Sequence, residues 1–485
     1  MADQTEIRRR FIVPVMSETV VPFLDSLCRE LADRGYETVF VPQSRAAAAA
    51  GEYQSEFSIN YNSGIVNHSP ERDLDFLVEK YDIPSARALV FPQMNYDYPH
   101  SDPPSLDAWD HEARYLPPQT GRKPGNFQPY IDWLHRCLDF FDQVFESGNG
   151  GMPLQYQGGE VIRRVLQRVA QHHDIPAVWI GFSPLEGHSG FYINEGSDWL
   201  TLGNTSYDSL TDKEIAQARS YLEDFRTEKP IVRADRSDQK PSFFQRMANR
   251  IRYLRETGRD ALPRMKHRAK QRFRRALLSQ YAERSYCSVN ESQNIISHQE
   301  MDYVFYPLQY YIESRVTMRA PAFYEQSWLV EYLSRSVPTN HKLVTKDHPQ
   351  QLGAQPRRAV DTIARYSIPL APSYHTHEVI ENASAVVTLN NTVGYEALLY
   401  GKPVITLGKA FYDDYTYKVD DINDIDRTIK YAVNSGGPSE EKIIEFVHGL
   451  ISGSRAGVWR DDSPESIHNL VEGIVETAEA QWESS

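Results

Sequence analysis

The apolar residues of this chain alternate between two spacings. Residues 11–15 form a short continuous apolar run, and Val21, Leu24, Leu27 and Leu31 then recur at helical spacing. Asp33-Arg34-Gly35 ends that helix, and residues 38–41 are a second apolar run. A strand, a crossover helix and a strand predict a βαβ unit whose parallel sheet is covered on its faces. Residues 46–50 read as a helix start, and 92–129, rich in Pro, Asp, Tyr and His, as a long irregular excursion. Helical spacing returns over 131–145 and 161–172, with Ser147-Gly148-Asn149-Gly150-Gly151 between them. Residues 177–180 are a buried strand that opens into the loop GFSPLEGHSGFYINEG.

The second half repeats the alternation. Strand 303–306 precedes a helix at 326–333, and strand 342–345 leads into Lys346-Asp347-His348-Pro349. Strand 385–389 leads into Asn390-Asn391-Thr392-Val393-Gly394, followed by a helix over 395–400 that stops at Gly401. Pro403 opens the strand 404–407, and the closing helices, among them 466–478, have no strand after them. The pattern predicts an α/β protein of two Rossmann-like domains facing a cleft. The expected division is a first domain over 1–229, a basic helical insertion or linker over 230–295, a second domain over 296–455 and C-terminal helices over 456–485.

Composition narrows the class. The chain has 485 residues, 40% of them hydrophobic and 24% charged, as in a globular protein and unlike a disordered one. No apolar run nears the ~20 residues that a membrane-spanning helix needs. Cys28, Cys137 and Cys287 lie far apart with no CxxC pair, which predicts free thiols in a reducing compartment. MADQTEIRRR runs straight into a strand without an apolar leader, so a cytoplasmic protein is expected. The charge is uneven. Residues 240–284 carry fourteen Lys or Arg against three acids; the chain's formal charge is −14, so the remainder stands at −25. Within that segment Phe243, Met247, Ile251 and Leu254 share one helical face, and Arg246, Arg250, Arg252 and Arg255 lie on the others. Such an arm suits an anionic membrane surface or another polyanion, whereas the acidic body and the lack of RRM, KH or zinc signatures speak against nucleic acid.

The densest chemistry lies in the second half. In open parallel sheets, ligands bind beyond the carboxyl ends of the strands. One such end carries Lys346 and His348, another Asn390, Asn391 and Thr392, and the latter opens a helix. A helix N-terminus presents unpaired N–H groups and partial positive charge, which suits a phosphate. Thr392 can add a hydroxyl, Gly394 permits close approach, His348 can donate a hydrogen bond and Lys346 can supply charge. Read otherwise, Asn391 or Thr392 only caps the helix. His172-His173 and His375-Thr376-His377 lack further ligands at metal spacing, and Asp413-Asp414 and Asp420-Asp421 read as solvated loops, so no metal is expected.

KDHP followed by TLNNTVGYEALLYGKPVITLGKAFYD resembles the capsule polysaccharide biosynthesis proteins, bacterial glycosyltransferases related to the Kdo transferases of capsule assembly. Tyr306-Pro307-Leu308-Gln309 is similar to the family's Pro-Leu-Gln, and the likeness covers roughly 303–413. It implies the glycosyltransferase type B fold, with the donor nucleotide-sugar on the C-terminal lobe, the acceptor on the N-terminal lobe, and no cofactor or catalytic metal. It places Gln309, Lys346, His348, Asn391 and Thr392 at the donor and gives Glu396 either ribose binding or helix packing. Asn390-Asn391 departs from the commoner Ser in that pair.

Glycosyl transfer also needs a base, and the loop after Trp179-Ile180 offers Glu195 first, Glu186 second and His188 as a substitute, with Asp97 and His100 in the excursion behind them. The expected function is transfer of a sugar from a nucleotide-sugar to a polysaccharide or lipid-linked acceptor, peripheral on the inner face of the membrane. The alternatives are a glycerophosphate-type polymer transferase, a non-hydrolysing nucleotide-sugar epimerase and a non-enzymatic polyanion-binding protein.

Overall fold

The computed structural model describes residues 9–16, 20–43, 60–61, 64–96, 128–156, 158–194, 198–199, 206–230, 261–297, 301–310 and 313–483. Its described residues form two compact units, one from residues up to 218 and from 445 onward, the other from 219 to 444.

In the first unit, β1 (Arg10–Val15), β2 (Glu37–Pro42), β3 (Asn60–Tyr61), β4 (Met152–Tyr156) and β5 (Val178–Phe182) are parallel, in the order β5-β4-β1-β2-β3. Side chains alternate across a strand. Phe11, Val13 and Val15 therefore join one core with the helix Val21–Asp33, while Ile12 joins another with the helices Gln128–Glu146 and Val161–His172. The helices after β1 and β4 thus cover opposite faces, which makes the gap between these strands a switch point. The segment expected as a loop after residue 180 is instead a hairpin. Gly187, with φ +72°, turns β5 into β6 (His188–Ile193), which runs antiparallel to it and carries β7 (Asp198–Trp199) on its other side. Its glycines and serines concealed an apolar face at Phe191. β4 escaped the sequence reading because it is a short run inside a Gly-rich connection.

The second unit has six parallel strands: β8 (Tyr303–Pro307), β9 (Lys342–Lys346), β10 (Ile368–Leu370), β11 (Ala385–Thr388), β12 (Val404–Thr406) and β13 (Tyr417–Lys418). Their order is β10-β9-β8-β11-β12-β13. Numbered from β8 this is 3-2-1-4-5-6, the order of a doubly wound nucleotide-binding sheet with its switch point between β8 and β11. Both units are therefore Rossmann-like. The helices Gln326–Ser336, Arg357–Tyr366 and Ile425–Ser435 share one core with Val304, Tyr306, Val387 and Leu389.

The chain then returns to the first unit. β14 (Ser454–Ala456) pairs antiparallel with β6, and the helix Pro464–Glu483 packs through Leu470, Val471 and Ile474 into the core below β1. Tyr36 Oη donates to Glu479 at 3.0 Å in the same place. The described part of 456–485, expected as C-terminal helices beyond the second domain, is thus a layer of the first unit. The helix Ala261–Ser285 belongs to the second unit and starts before Pro263, which sits in its first turn where no N–H is missed. The excursion expected over 92–129 is helical at its ends, in Ala86–Tyr96 and Gln128–Glu146; residues 97–127, the expected helix start at 46–50 and the face built on Phe243 lie outside the described residues.

Candidate donor site in the second unit

The carboxyl ends of β8, β9 and β11 bring the sequence candidates together. Gln309, just past β8, donates from Nε2 to Asn390 Oδ1 across the switch point at 2.9 Å. Gln326 clamps the Gln309 backbone from both sides, Oε1 accepting its N–H and Nε2 donating to its carbonyl, each at 2.7 Å. Asn390 Nδ2 donates to the Arg315 carbonyl at 2.8 Å. Gln309 is buried, and among the described residues its Oε1 has no hydrogen-bond partner. A buried acceptor without a partner is rare and asks for a donor.

Asn391 is the N-cap of the helix Thr392–Leu399. Its Oδ1 accepts from Gly394 N at 3.3 Å and from Thr388 Oγ1 at 2.9 Å. Its side chain therefore caps the helix start, as the capping alternative of the sequence reading expects. Thr392, one residue on, is part-exposed and has no hydrogen bond from its hydroxyl among the described residues. Gly394 is required by packing: a Cβ there would overlap the Tyr412 hydroxyl, which donates to the Asn391 carbonyl at 2.5 Å.

Lys346 is buried at the end of β9 and donates from Nζ to Thr376 Oγ1 at 3.0 Å. Burial lowers its pKa, and the charges of Glu396 and Asp347 oppose that. Burial pushes Glu396 up to about 8, with Lys346 pulling the other way. Burial likewise lifts Asp347 to about 7, against the Tyr286 hydroxyl, the His348 N–H and Lys346. His348 is driven down to about 4, by burial first and by Lys346 second, and its ring stacks on Tyr310 with centroids 5.9 Å apart. It is thus a neutral imidazole at pH 7. Glu396 has no hydrogen bond to its carboxyl among the described residues, and in its neutral form it is a donor. Glu313, following β8, is also raised by burial, with Arg315 opposing. Asp347, Glu313 and Gln326 were not singled out from sequence. Asp347 lies inside the quoted KDHP turn, but nothing local says that its side chain turns inward.

Other candidates are placed elsewhere. Glu186 is exposed on the β5–β6 turn, with the His188 ring nitrogen Nδ1 at 2.7 Å from its carbonyl oxygen. His377 is held by the Pro230 carbonyl and the Tyr400 hydroxyl, a structural role. Glu195, Asp97, His100, Arg246, Arg250, Arg252 and Arg255 lie outside the described residues. The first unit's switch point holds a group that sequence reasoning missed. Beyond β4, Gly158 leaves room for Glu160 and buried Arg163, paired at 3.0 Å; a Cβ at Gly158 would overlap both. Among the described residues, Arg163 Nε, Gln155 Oε1 and both amide atoms of Gln43 are buried without hydrogen-bond partners. The glycine pair before Glu160 was the available signal.

Residues 218–420 match the capsule polysaccharide biosynthesis protein family. The resemblance carried by the KDHP and NNTVGYEAL motifs holds over this segment, which contains every donor candidate above. Protein FixF of Sinorhizobium fredii (strain NBRC 101917 / NGR234) is 34% identical over 117 residues, 23% of this chain and 27% of that protein. The capsule polysaccharide export protein KpsS of Escherichia coli is 29% identical over 168 residues, 32% of this chain and 35% of that protein. The chain therefore spans about a third or less of the length of these curated relatives. Among solved structures, the β-Kdo 2,7-transferase of Thermosulfurimonas dismutans KpsC is 12% identical with a TM-score of 0.36, covering 70% of this chain and 89% of that one. A glycosyltransferase from Rickettsia africae ESF-5 is 10% identical with a TM-score of 0.30, covering 98% of this chain and 100% of that one. The fold itself is read from the strand order.

Proposed function

We propose that this protein is a glycosyltransferase of capsule-type polysaccharide assembly, of type B architecture, which takes its sugar from a nucleotide-linked donor. The observation that carries this reading is the β8–β11 switch point, with Gln309, Lys346 and the Thr392 helix end converging on it inside the family segment. Lys346 supplies charge to a donor phosphate, while Thr392 and the helix N–H groups supply directed donors. Neutral His348 donates or accepts one hydrogen bond, and protonated Glu396 donates to a hydroxyl of the nucleotide sugar or sits as packing. The acceptor, a polysaccharide end or a lipid-linked sugar, is assigned to the first unit. There Glu195, or Glu186 after it, takes the proton of the attacking hydroxyl as that oxygen bonds to the anomeric carbon. The bond to the donor phosphate breaks, and its electron pair leaves on the nucleotide. The reaction as written uses no cofactor or metal. The basic segment containing Arg246, Arg250, Arg252 and Arg255 is assigned to an anionic membrane surface on the cytoplasmic side; no described helix is long and apolar enough to cross a membrane.

The test is calorimetric binding of CMP-, UDP-, GDP- and CDP-linked compounds. One class should bind, and Lys346→Ala should weaken it. Binding of none, or equal binding by the variant, removes the donor assignment. Glu195→Gln should keep donor binding and cut turnover by roughly 10²–10⁴-fold. If Glu186→Gln does so instead, the base moves to the β5–β6 turn.

A further inference from the structure

The helix Ala261–Ser285 holds the described half of the basic segment, with eight Lys or Arg against one acid, Glu283. Its inner face is settled. Ala282 and, just beyond the helix, Tyr286 are buried, and Arg275 Nε donates to the Leu352 carbonyl at 3.4 Å. Gly353, at φ +79°, approaches so closely that a Cβ would overlap the Arg275 carbonyl. Arg357 lies over the Tyr281 ring at 4.4 Å.

Among the described residues the opposite face has no such contacts. Phe273 is 67% exposed and Leu277 52% exposed, one turn apart and side by side on the helix surface. Spacings of three and four continue the same line to Gln280 and Arg284. Arg274 and Arg284 are exposed. An apolar pair with cations beside it on one helix face, on a chain whose remainder is acidic, complements a surface with apolar depth below negative headgroups. A soluble polyanion uses the cations and leaves the Phe and Leu in water; a neutral protein groove does the reverse.

We propose that the face of this helix carrying Phe273, Arg274, Leu277 and Arg284 lies on an anionic lipid surface, with Phe273 and Leu277 entering the interface. The proposal rests on the reading of the basic segment as a membrane contact, and it moves the inserting residues from the face at Phe243 to this one. The acidic remainder is held off by like charge, so the contact selects one orientation of the second unit.

The probe is vesicles of phosphatidylcholine with about one-third phosphatidylglycerol, against pure phosphatidylcholine, in a sedimentation assay at about 0.1 M and about 0.5 M salt. The full chain should bind the anionic vesicles at low salt and not the neutral ones. Phe273→Ala with Leu277→Ala should lower the partition roughly tenfold or more, since transfer of the two side chains is lost. Arg274→Gln with Arg284→Gln should weaken binding and flatten its salt dependence. Both pairs are exposed, and their thermal melts should match the parent. Equal partition by the apolar double variant and the parent overturns this assignment while leaving the basic segment as the contact. Absence of parental binding to anionic vesicles, with or without binding to polyphosphate, overturns the segment reading as well. Donor affinity of the second unit, measured on the same variants, stays at the parental value and keeps either failure separate from that of the transferase reading.

Discussion

Both units bury carboxylates, and they treat them in opposite ways. In the first unit, Asp139 and Asp142 lie fully buried on the helix Gln128–Glu146. Asp139 accepts from His68 Nε2 at 2.6 Å, from the Glu71 and Arg72 N–H groups at 3.2 and 3.0 Å, and from Gln143 at 3.0 Å. Asp142 takes Lys80 at 2.6 Å, the Tyr81 hydroxyl at 2.5 Å and an ion pair from Arg72. Burial alone raises the pKa of Asp139, but these bonds outweigh it and hold the carboxyl below the usual range. In the second unit, Glu396 and Asp347 are buried as well. Among the described residues Glu396 has no hydrogen bond to its carboxyl, and the side-chain bonds to Asp347 are long, from Tyr286 at 3.3 Å and Gln355 at 3.4 Å, beside the His348 N–H. Burial there wins, and both are lifted toward neutrality. A densely bonded network fixes a fold; a sparsely bonded one leaves a capacity that a ligand can use. The contrast fits the first cluster to architecture and supports the proposed binding role of the second.

The largest effect expected is on the densely bonded cluster of the first unit. Asp142→Ala should cost about 3–5 kcal/mol in urea unfolding, because Lys80, Tyr81 and Arg72 lose their common acceptor. Donor affinity in the surviving folded protein should not change. A loss below about 1 kcal/mol would make the two clusters alike.

Lys346→Ala comes next. It should weaken donor binding by about 1.5–3 kcal/mol, the worth of a charge-assisted hydrogen bond. Its unfolding midpoint should hold or rise, since a buried cation with one neutral partner is removed. Parallel losses of stability and affinity would make Lys346 another scaffold residue.

Glu396→Gln and Asp347→Asn test the sign of the pH dependence. Glu396, raised from 4.5 to about 8, contributes stability that is fully present below pH 4.5 and is lost as pH rises through 8. Asp347, raised from 3.8 to about 7, does the same across its own window. Asp139 is lowered, so its contribution is present above 3.8 and is lost as pH falls through its folded value. Hydrogen-exchange protection of β11 should therefore fall from pH 5.5 to pH 8 relative to the helix Gln128–Glu146, after correction for intrinsic rates, and the double variant should flatten that difference. An unchanged slope in the variant locates the titrating groups elsewhere.

Thr392→Ala is the smallest. One neutral hydroxyl is worth roughly 0.5–1.5 kcal/mol of donor affinity. Asn391→Ala, by contrast, should lower stability by about 1 kcal/mol, as loss of an N-cap does. Reversal of these two readouts would exchange the roles of cap and ligand contact.

Local spacing was enough for most of the second unit. Strands 303–306, 342–345 and 385–389 and the Lys-Asp-His-Pro turn each declare themselves within a few residues, because burial on both faces demands continuous apolar runs. The short β10 did not, since Ile-Pro-Leu is too brief a run to separate from a loop. In the first unit the hairpin β5–β6 was hidden by its glycines and serines. Asn391 was legible as a cap or a ligand, and only its bonds to Gly394 and Thr388 decided for the cap.

By itself the sequence determined the α/β alternation, the strand-end positions of Lys346, His348, Asn391 and Thr392, and the family segment that holds them. Those follow from hydrophobic period and turn chemistry, which act between near neighbours. Tertiary structure decided what needed distant partners. Gln309 meets Asn390 81 residues away, and Tyr36 meets Glu479 across 443, placing the C-terminal helix in the first unit's core. Protonation was decided there too. His348 is neutral, Glu396 is held toward its acid and Asp139 is fully charged, because a pKa is set by the burial and bonds around a side chain and not by the residues beside it in sequence.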